Sequence, residues 1–192
     1  MIPPIVLASR SPRRRELLLA AGVRILEVTE AQTEESHDAS CGVAALVLAN
    51  ARAKAGEISA RHPDSVVLAA DTLVWHRGHP LGKPRDSEDA QGILQRLSGQ
   101  VHEVVTGVHL VRATTGQQIE FHEVTRVRFR PLDEKTIRTY LAKVDVLDKA
   151  GAYALQKHGE LLIESVEGSR SNVIGLPVAR TLAALQHFAE RA

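Results

Sequence analysis

Cysteine is almost absent from the 192 residues, with Cys41 alone, which excludes an internal disulfide framework and a cysteine-rich metal site. Aromatic residues are also scarce at 3%, so little surface is available for stacking single-stranded bases. Neither sign of charge is in excess: Lys and Arg number 24 against 23 Asp and Glu, for a net charge of +1. That balance argues against a dedicated nucleic-acid or membrane-surface binder. Long apolar runs are lacking too. Before Arg10 the only uninterrupted one is Ile5-Val6-Leu7-Ala8, too short for a signal-peptide core, and no later run approaches membrane-spanning length. Neither a P-loop nor a Rossmann glycine fingerprint occurs, and there are no repeats and no low-complexity linker. These absences predict a soluble, cytoplasmic protein without nucleic-acid or membrane partners. What is present is a hydrophobic fraction of 44%, enough to bury a core in one domain or two closely packed lobes.

The stretch from Val66 to Trp75 organises the rest, because Asp71 stands in the middle of an otherwise apolar run. Its length and β-branched content predict a buried strand. An ionised side chain there is costly unless cations, a metal ion or hydrogen-bond donors meet it. A structural ion pair in the core is the plain alternative to a reactive site.

Along the chain, Ile5 to Ala8 predicts a strand. Ser11 suits a helix N-cap and Pro12 the first helical position, with Leu17, Leu18 and Ala21 as the apolar stripe and Gly22 as the stop. This places Arg13, Arg14 and Arg15 in the opening turns, where the helix dipole disfavours positive charge. Free amides and guanidinium groups together would cradle a phosphate, and the alternative is a solvated basic turn. Ile25 to Thr29 predicts a half-exposed strand, followed by an acidic loop from Thr33 to Asp38. From Val43 to about Arg61 the apolar residues recur at helical spacing, and Lys54 falls on that inward stripe. A lysine there snorkels outward or points at a site, and pattern alone favours snorkelling.

Beyond the central strand, His76 to His79 predicts a turn. Lys83 stands between Gly82 and Pro84, which restrict where its ammonium points. Ser87 starts a helix with Ile93, Leu94 and Leu97 inward, ended by Ser98-Gly99. Val101 to Val111 and Ile119 to Phe129 predict a long hairpin, and a helix follows from Asp133 to about Lys143. Asp148 to Gln156 combines a charged pair with small residues that would let backbone approach a ligand, or form an ordinary turn. Leu161 to Val166 predicts a strand, Gly168 to Asn172 a polar loop, and Pro177 opens a last helix with Val178, Leu182, Leu185 and Ala189 inward. Interleaved strands and helices predict an α/β fold with a partly antiparallel sheet.

Cations gathered around a few carboxylates, without a histidine or cysteine cluster, suit phosphate esters handled with a hard divalent ion bound by oxygen. The segments Ser9-Arg10-Ser11-Pro12-Arg13-Arg14, Glu35, Lys54, Ala70-Asp71-Thr72, Gly82-Lys83-Pro84, Leu97-Ser98-Gly99, Asp148 to Tyr153 and Asn172 to Pro177 resemble the motifs of the Maf family of nucleoside triphosphate pyrophosphatases. Each is weak alone. In order and at fitting distances, from about residue 5 to residue 180, they are highly specific.

That resemblance implies a single domain over residues 1–192: a mixed twisted sheet flanked by helices, two lobes around one central cleft, similar to inosine triphosphate pyrophosphatases. It implies hydrolysis of a nucleoside triphosphate to monophosphate and pyrophosphate with Mg2+ or Mn2+, in a homodimer. By the same resemblance Asp71 is the proton acceptor, Glu35 and Asp71 face the metal, and Ser9, Ser11, Arg13, Arg14, Lys54, Thr72, Lys83 and Gln156 face the substrate. Arg13, Thr72 and Gln156 match the branch acting on dTTP and UTP. The branch acting on 7-methyl-GTP carries an aromatic where Arg13 stands. Arg10 replaces a residue that is often small in the family. From the residues themselves, Asp71 could take a proton from water or bind the metal that acidifies it. The alternatives to this enzyme are a nucleotide-binding regulator of septum formation with little catalysis, and a pyrophosphatase for 7-methyl-GTP or another modified nucleotide.

Overall fold

A computed structural model describes residues 2–190. The elements follow as β1 (Ile5–Ala8), α1 (Pro12–Ala20), β2 (Ile25–Thr29), α2 (Val43–Arg61), β3 (Val66–His76), β4 (His79–Leu81), α3 (Ser87–Leu97), β5 (Val101–Arg112), β6 (Gln117–Phe129), α4 (Glu134–Lys143), β7 (Ile163–Glu167), α5 (Arg170–Ile174) and α6 (Val178–Glu190). They build an α/β fold on a 7-stranded sheet of order β2-β1-β3-β5-β6-β7, with β4 paired to β3. The sheet is mixed: β1 is parallel to β2 and β3, whereas β3–β4 and β6–β7 are antiparallel.

The chain forms two compact units. The first holds the residues up to Thr72, Thr106–Glu123 and Gly175 onward; the second holds Leu73–Val105 and Val124–Ile174. In the first, β1 and β3 are covered on both faces, as parallel strands require. Ile5, Leu7, Val66, Leu68 and Ala70 join Leu18 of α1 and Leu185 of α6 in one cluster, while Val6, Ala8, Val67 and Ala69 join Ala55 and Ile58 of α2 in another. Because strand side chains alternate, Asp71 continues the α2 face and Thr72 continues the α1 face.

Alanine-rich α2 lies very close to β5. A Cβ added to Gly107 would stand 2.5 Å from the carbonyl carbon and oxygen of Val47, so only glycine lets the helix seat. Gly107→Ala is expected to cost about 2 to 3 kcal/mol by forcing backbone apart. Urea unfolding reads this directly, and an unchanged midpoint would refute the tight seat.

In the second unit, α3 and α4 open on carboxylate caps: Asp86 accepts from the Asp89 N–H and Asp133 from the Thr136 N–H. Ile93, Leu94 and Leu97 face inward with Phe129, Ile137 and Tyr140. His102, Phe129 and Tyr153 meet edge to face with centroids 4.9 to 5.4 Å apart.

Four expectations need correction. The last strand begins at Ile163, because Gly159–Leu161 close a 3-10 turn. Gly168 to Asn172 is no loop throughout: Ser169 Oγ accepts the Asn172 N–H at 3.2 Å and caps α5. In α6 the buried residues are Thr181, Leu185 and Phe188. Thr181 can face inward because its hydroxyl donates to the Pro177 carbonyl at 3.0 Å. In α1, only Leu18 of the expected stripe is buried.

Candidate functional site

The alternation along β3 explains which helix meets which side chain. Asp71, 5% exposed, turns toward α2, where Lys54 Nζ donates to its Oδ1 at 2.9 Å and Asn50 Nδ2 to its Oδ2 at 3.0 Å. The Lys54 ammonium also reaches Glu35 Oε1 at 2.5 Å. Lys54 is therefore not a snorkelling residue. Two carboxylates within one ammonium's reach outweigh solvation of its tip, and its side chain is only 13% exposed. Glu35 itself stands on the exposed acidic loop.

Thr72 turns the other way, toward α1. Its hydroxyl accepts from Arg14 Nη2 at 3.0 Å and lies 2.9 Å from the buried Thr106 hydroxyl. Arg14 Nε donates to the Gly175 carbonyl at 2.9 Å and Nη1 to Ser9 Oγ at 3.3 Å. These bonds lock the plane of the guanidinium group and leave two of its five N–H donors for another acceptor. Burial pulls Arg14 below the usual arginine range, while the negative charges of Asp71 and Glu35 push the other way; it stays charged at any ordinary pH. Ser9 Oγ also accepts the Ser11 N–H at 3.2 Å, and the Ser11 side chain makes no cap to α1.

The basic helix start therefore divides its arginines. Arg14 turns inward, Arg15 stays exposed, and Arg10 turns out to Glu30 at 2.5 Å, which gives that residue a partner on the surface. Arg13 is half-buried. Of the predicted site residues, Ser9, Ser11, Arg13, Arg14, Glu35, Lys54, Asp71 and Thr72 all belong to the first unit. Hydrogen bonds join Arg14, Ser9 and Thr72 in one group and Glu35, Lys54 and Asp71 in another.

Lys83 and Gln156 belong to the second unit, and both are exposed. The Gly82 carbonyl next to Lys83 accepts the Gly151 N–H at 3.0 Å. The small residues after Lys149 thus brace the lysine-bearing loop and serve the protein's own packing. Gly151 has φ 72°, and a Cβ there would stand 3.0 Å from Val74 Cγ2. Lys149 itself pairs with Asp148 and donates to the Asp145 carbonyl.

Asn50 and Thr106 are the site-wall residues that sequence reasoning passed over. Asn50 does carry a signal: it is a polar residue four positions before Lys54, on the same helical face.

Two carboxylates bound to one ammonium supply hard oxygen donors, which fits a divalent ion that completes its shell with phosphate oxygens and water. Among the described residues no group of three or more His, Cys, Asp or Glu could hold a metal by itself, so substrate oxygens would be part of any such shell. No helix among the described residues is long and apolar enough to cross a membrane.

The model of the Maf-like protein family matches residues 4–188. The chain is 49% identical over 192 residues to a dTTP/UTP pyrophosphatase of Akkermansia muciniphila, covering 100% of both proteins. It is 48% identical over 183 residues to a dTTP/UTP pyrophosphatase of Myxococcus xanthus, covering 95% of this chain and 91% of that one. To a dTTP/UTP pyrophosphatase of Bacillus cytotoxicus it is 42% identical over 183 residues, covering 95% and 94%.

Proposed function

This chain belongs to the Maf family, and on that footing we propose that it is a nucleoside triphosphate pyrophosphatase acting on dTTP and UTP. Water attacks the α-phosphorus, its proton passes to Asp71, and the bond to the bridging oxygen breaks with its electron pair leaving on pyrophosphate. The observation that carries this reading is the carboxylate of Asp71, buried in the middle of an apolar strand and met there by Lys54 and Asn50.

The family resemblance assigns the remaining roles. Arg13 and Arg14 face the phosphates, and the locked plane of Arg14 supports this, since a preset fork loses little freedom when it meets a phosphate. Lys54 exchanges its carboxylate partners for phosphate oxygens. Ser9 and Ser11 line the start of α1, and Thr72 aims Arg14. For Lys83 and Gln156 the proposal rests on the resemblance alone. Glu35 and Asp71 would hold a divalent cation, Mg2+ or Mn2+, together with substrate oxygens. When bound, that ion supplies charge neutralisation on the phosphates and a more acidic water. The working form is a cytoplasmic homodimer, which sedimentation of the purified protein tests.

The deciding experiment is a panel of nucleoside triphosphates assayed for monophosphate and pyrophosphate, with and without Mg2+. Release from dTTP and UTP ahead of purine nucleotides is the expected result. Binding without release would favour a nucleotide-binding regulator of septum formation, and preference for a methylated or otherwise modified nucleotide would move the substrate. Substitution of Arg13 or Gln156 is expected to reduce turnover of dTTP and UTP more than stability, because a hydrogen-bonding site discriminates by leaving polar groups unpaired. Equal loss across all nucleotides would make Arg13 a plain phosphate contact.

A further inference from the structure

The acidic loop runs along α2 in reverse order. Asn50, Lys54 and Glu57 stand one turn apart on one helical face, and they meet Ser36, Glu35 and Thr33 respectively. Thr33 donates its N–H and hydroxyl to Glu57 Oε2 at 2.8 and 2.6 Å. Those bonds, led by the hydroxyl, hold the Glu57 carboxyl below its usual range. Lys54 takes Glu35 at 2.5 Å. Asn50 takes the Ser36 backbone from both sides: the Ser36 N–H donates to Oδ1 at 2.8 Å, and Nδ2 donates to the Ser36 carbonyl at 3.1 Å.

The orientation of that amide follows from its partners. A backbone N–H can only donate, so the atom facing Ser36 N is the amide oxygen, and the amide nitrogen must face Asp71. Both Nδ2 hydrogens are then used, one on Asp71 Oδ2 and one on the Ser36 carbonyl. Asn50 is 4% exposed and cannot turn without breaking its bonds to the loop. Lys54, the partner of Oδ1, differs in kind. Its ammonium rides on a flexible four-carbon stem and is already shared with an exposed glutamate, so unlike the asparagine amide it is not fixed on the Asp71 carboxylate alone.

We infer, resting on the pyrophosphatase reading above, that Asn50 is a positioning residue of the reaction. It holds Oδ2 of Asp71, so that Oδ1 is the oxygen that receives the water proton, and the same amide keeps the Glu35 loop beside that carboxylate. As the water oxygen bonds to the α-phosphorus, its proton goes to Oδ1 and pyrophosphate departs with the electrons of the broken bond. Asn50 touches none of the reacting atoms and acts only through Asp71 and the loop.

Asn50→Asp and Asn50→Leu separate this role from simple stabilisation. The aspartate keeps an acceptor for the Ser36 N–H but loses both donors and sets a second carboxylate against Asp71. The leucine keeps the volume and loses every bond. With dTTP, kcat is expected to fall about 10- to 100-fold in both variants, with KM within about threefold of the parent. A purely structural asparagine predicts instead that Asn50→Asp, with its loop still held, keeps the parent kcat. A folded variant of either kind with kcat within about twofold of the parent overturns the proposal.

Amide exchange at Ser36 needs no substrate. It is expected to quicken at least roughly tenfold in Asn50→Leu and to stay slow in Asn50→Asp. Unchanged exchange in Asn50→Leu overturns the clamp whether or not the parent is active. Absence of pyrophosphate release by the parent counts against the pyrophosphatase reading and leaves the exchange result to judge the clamp.

Discussion

Asp71→Asn is expected to lower turnover of dTTP by roughly 10² to 10⁴ while leaving the fold intact. The substitution conserves shape, so the buried middle of β3 keeps its packing and an oxygen remains to accept from Asn50. It removes the negative charge, and with it the capacity to take a proton from water. Lys54 loses one partner but keeps Glu35, so no isolated buried ammonium results. A structural ion pair makes the opposite demand, that stability falls and the chemistry survives. The two measurements to set side by side are therefore pyrophosphate release and the thermal midpoint. Turnover near the parent value in a folded Asp71→Asn protein would remove Asp71 from the reaction.

Acid is expected to unfold the protein early, and the buried His102 is one reason. The imidazole is 1% exposed and its pKa is lowered from 6.5 to about 3, first by burial and second by the nearby His76. Its Nε2 pairs with the Tyr153 hydroxyl at 2.9 Å, and aromatic rings surround it. In the unfolded chain the same group titrates near its ordinary value, so between about pH 6.5 and about pH 3 the unfolded state binds the extra proton. The stability contributed by a neutral His102 is complete above that window and is lost as pH falls through it. The slope is about 1.4 kcal/mol per pH unit, which over the window approaches ~5 kcal/mol. That is a large share of a domain's usual 5 to 15 kcal/mol, roughly speaking.

Carboxylates held below their usual range, Glu120 beside Arg52 among them, lose stability over the lower part of the same window. The contribution of His102 is therefore read as a difference. In His102→Phe, which keeps the edge-to-face packing and cannot protonate, denaturant midpoints should fall less steeply from pH 6.5 to 4 than in the parent. Parallel curves would clear His102 of the effect.

Much of the architecture was legible without coordinates because single elements announce themselves through periodicity. The apolar run around Asp71, the helical spacing from Val43 to Arg61 and the helices that open at Ser87 and near Asp133 all lie where the sequence pattern predicts them. Errors gathered where an element is short or its buried face depends on a neighbour. The cap that makes α5 a helix is one serine hydroxyl, and Thr181 faces inward because the carbonyl four residues back accepts a hydrogen bond from its hydroxyl. The small residues after Lys149 read as room for a ligand, but the space beside Gly151 is filled by Val74.

The candidate site divides in the same manner. That a carboxylate in an apolar strand needs cations follows from the cost of burying charge, and the family motifs nominated Lys54 and Arg14. Alternation then dictates that Asp71 and Thr72 face opposite sides of the sheet, since adjacent strand residues cannot share a face. Which helix covers each side is not a local property. Only the tertiary structure, through the order β2-β1-β3 and the close seat of α2 on Gly107, brings Asn50 and Lys54 to Asp71 and leaves Arg14 to Thr72. Chemical need is written in residue type and spacing; the partner that meets it is chosen by packing between segments far apart in the chain.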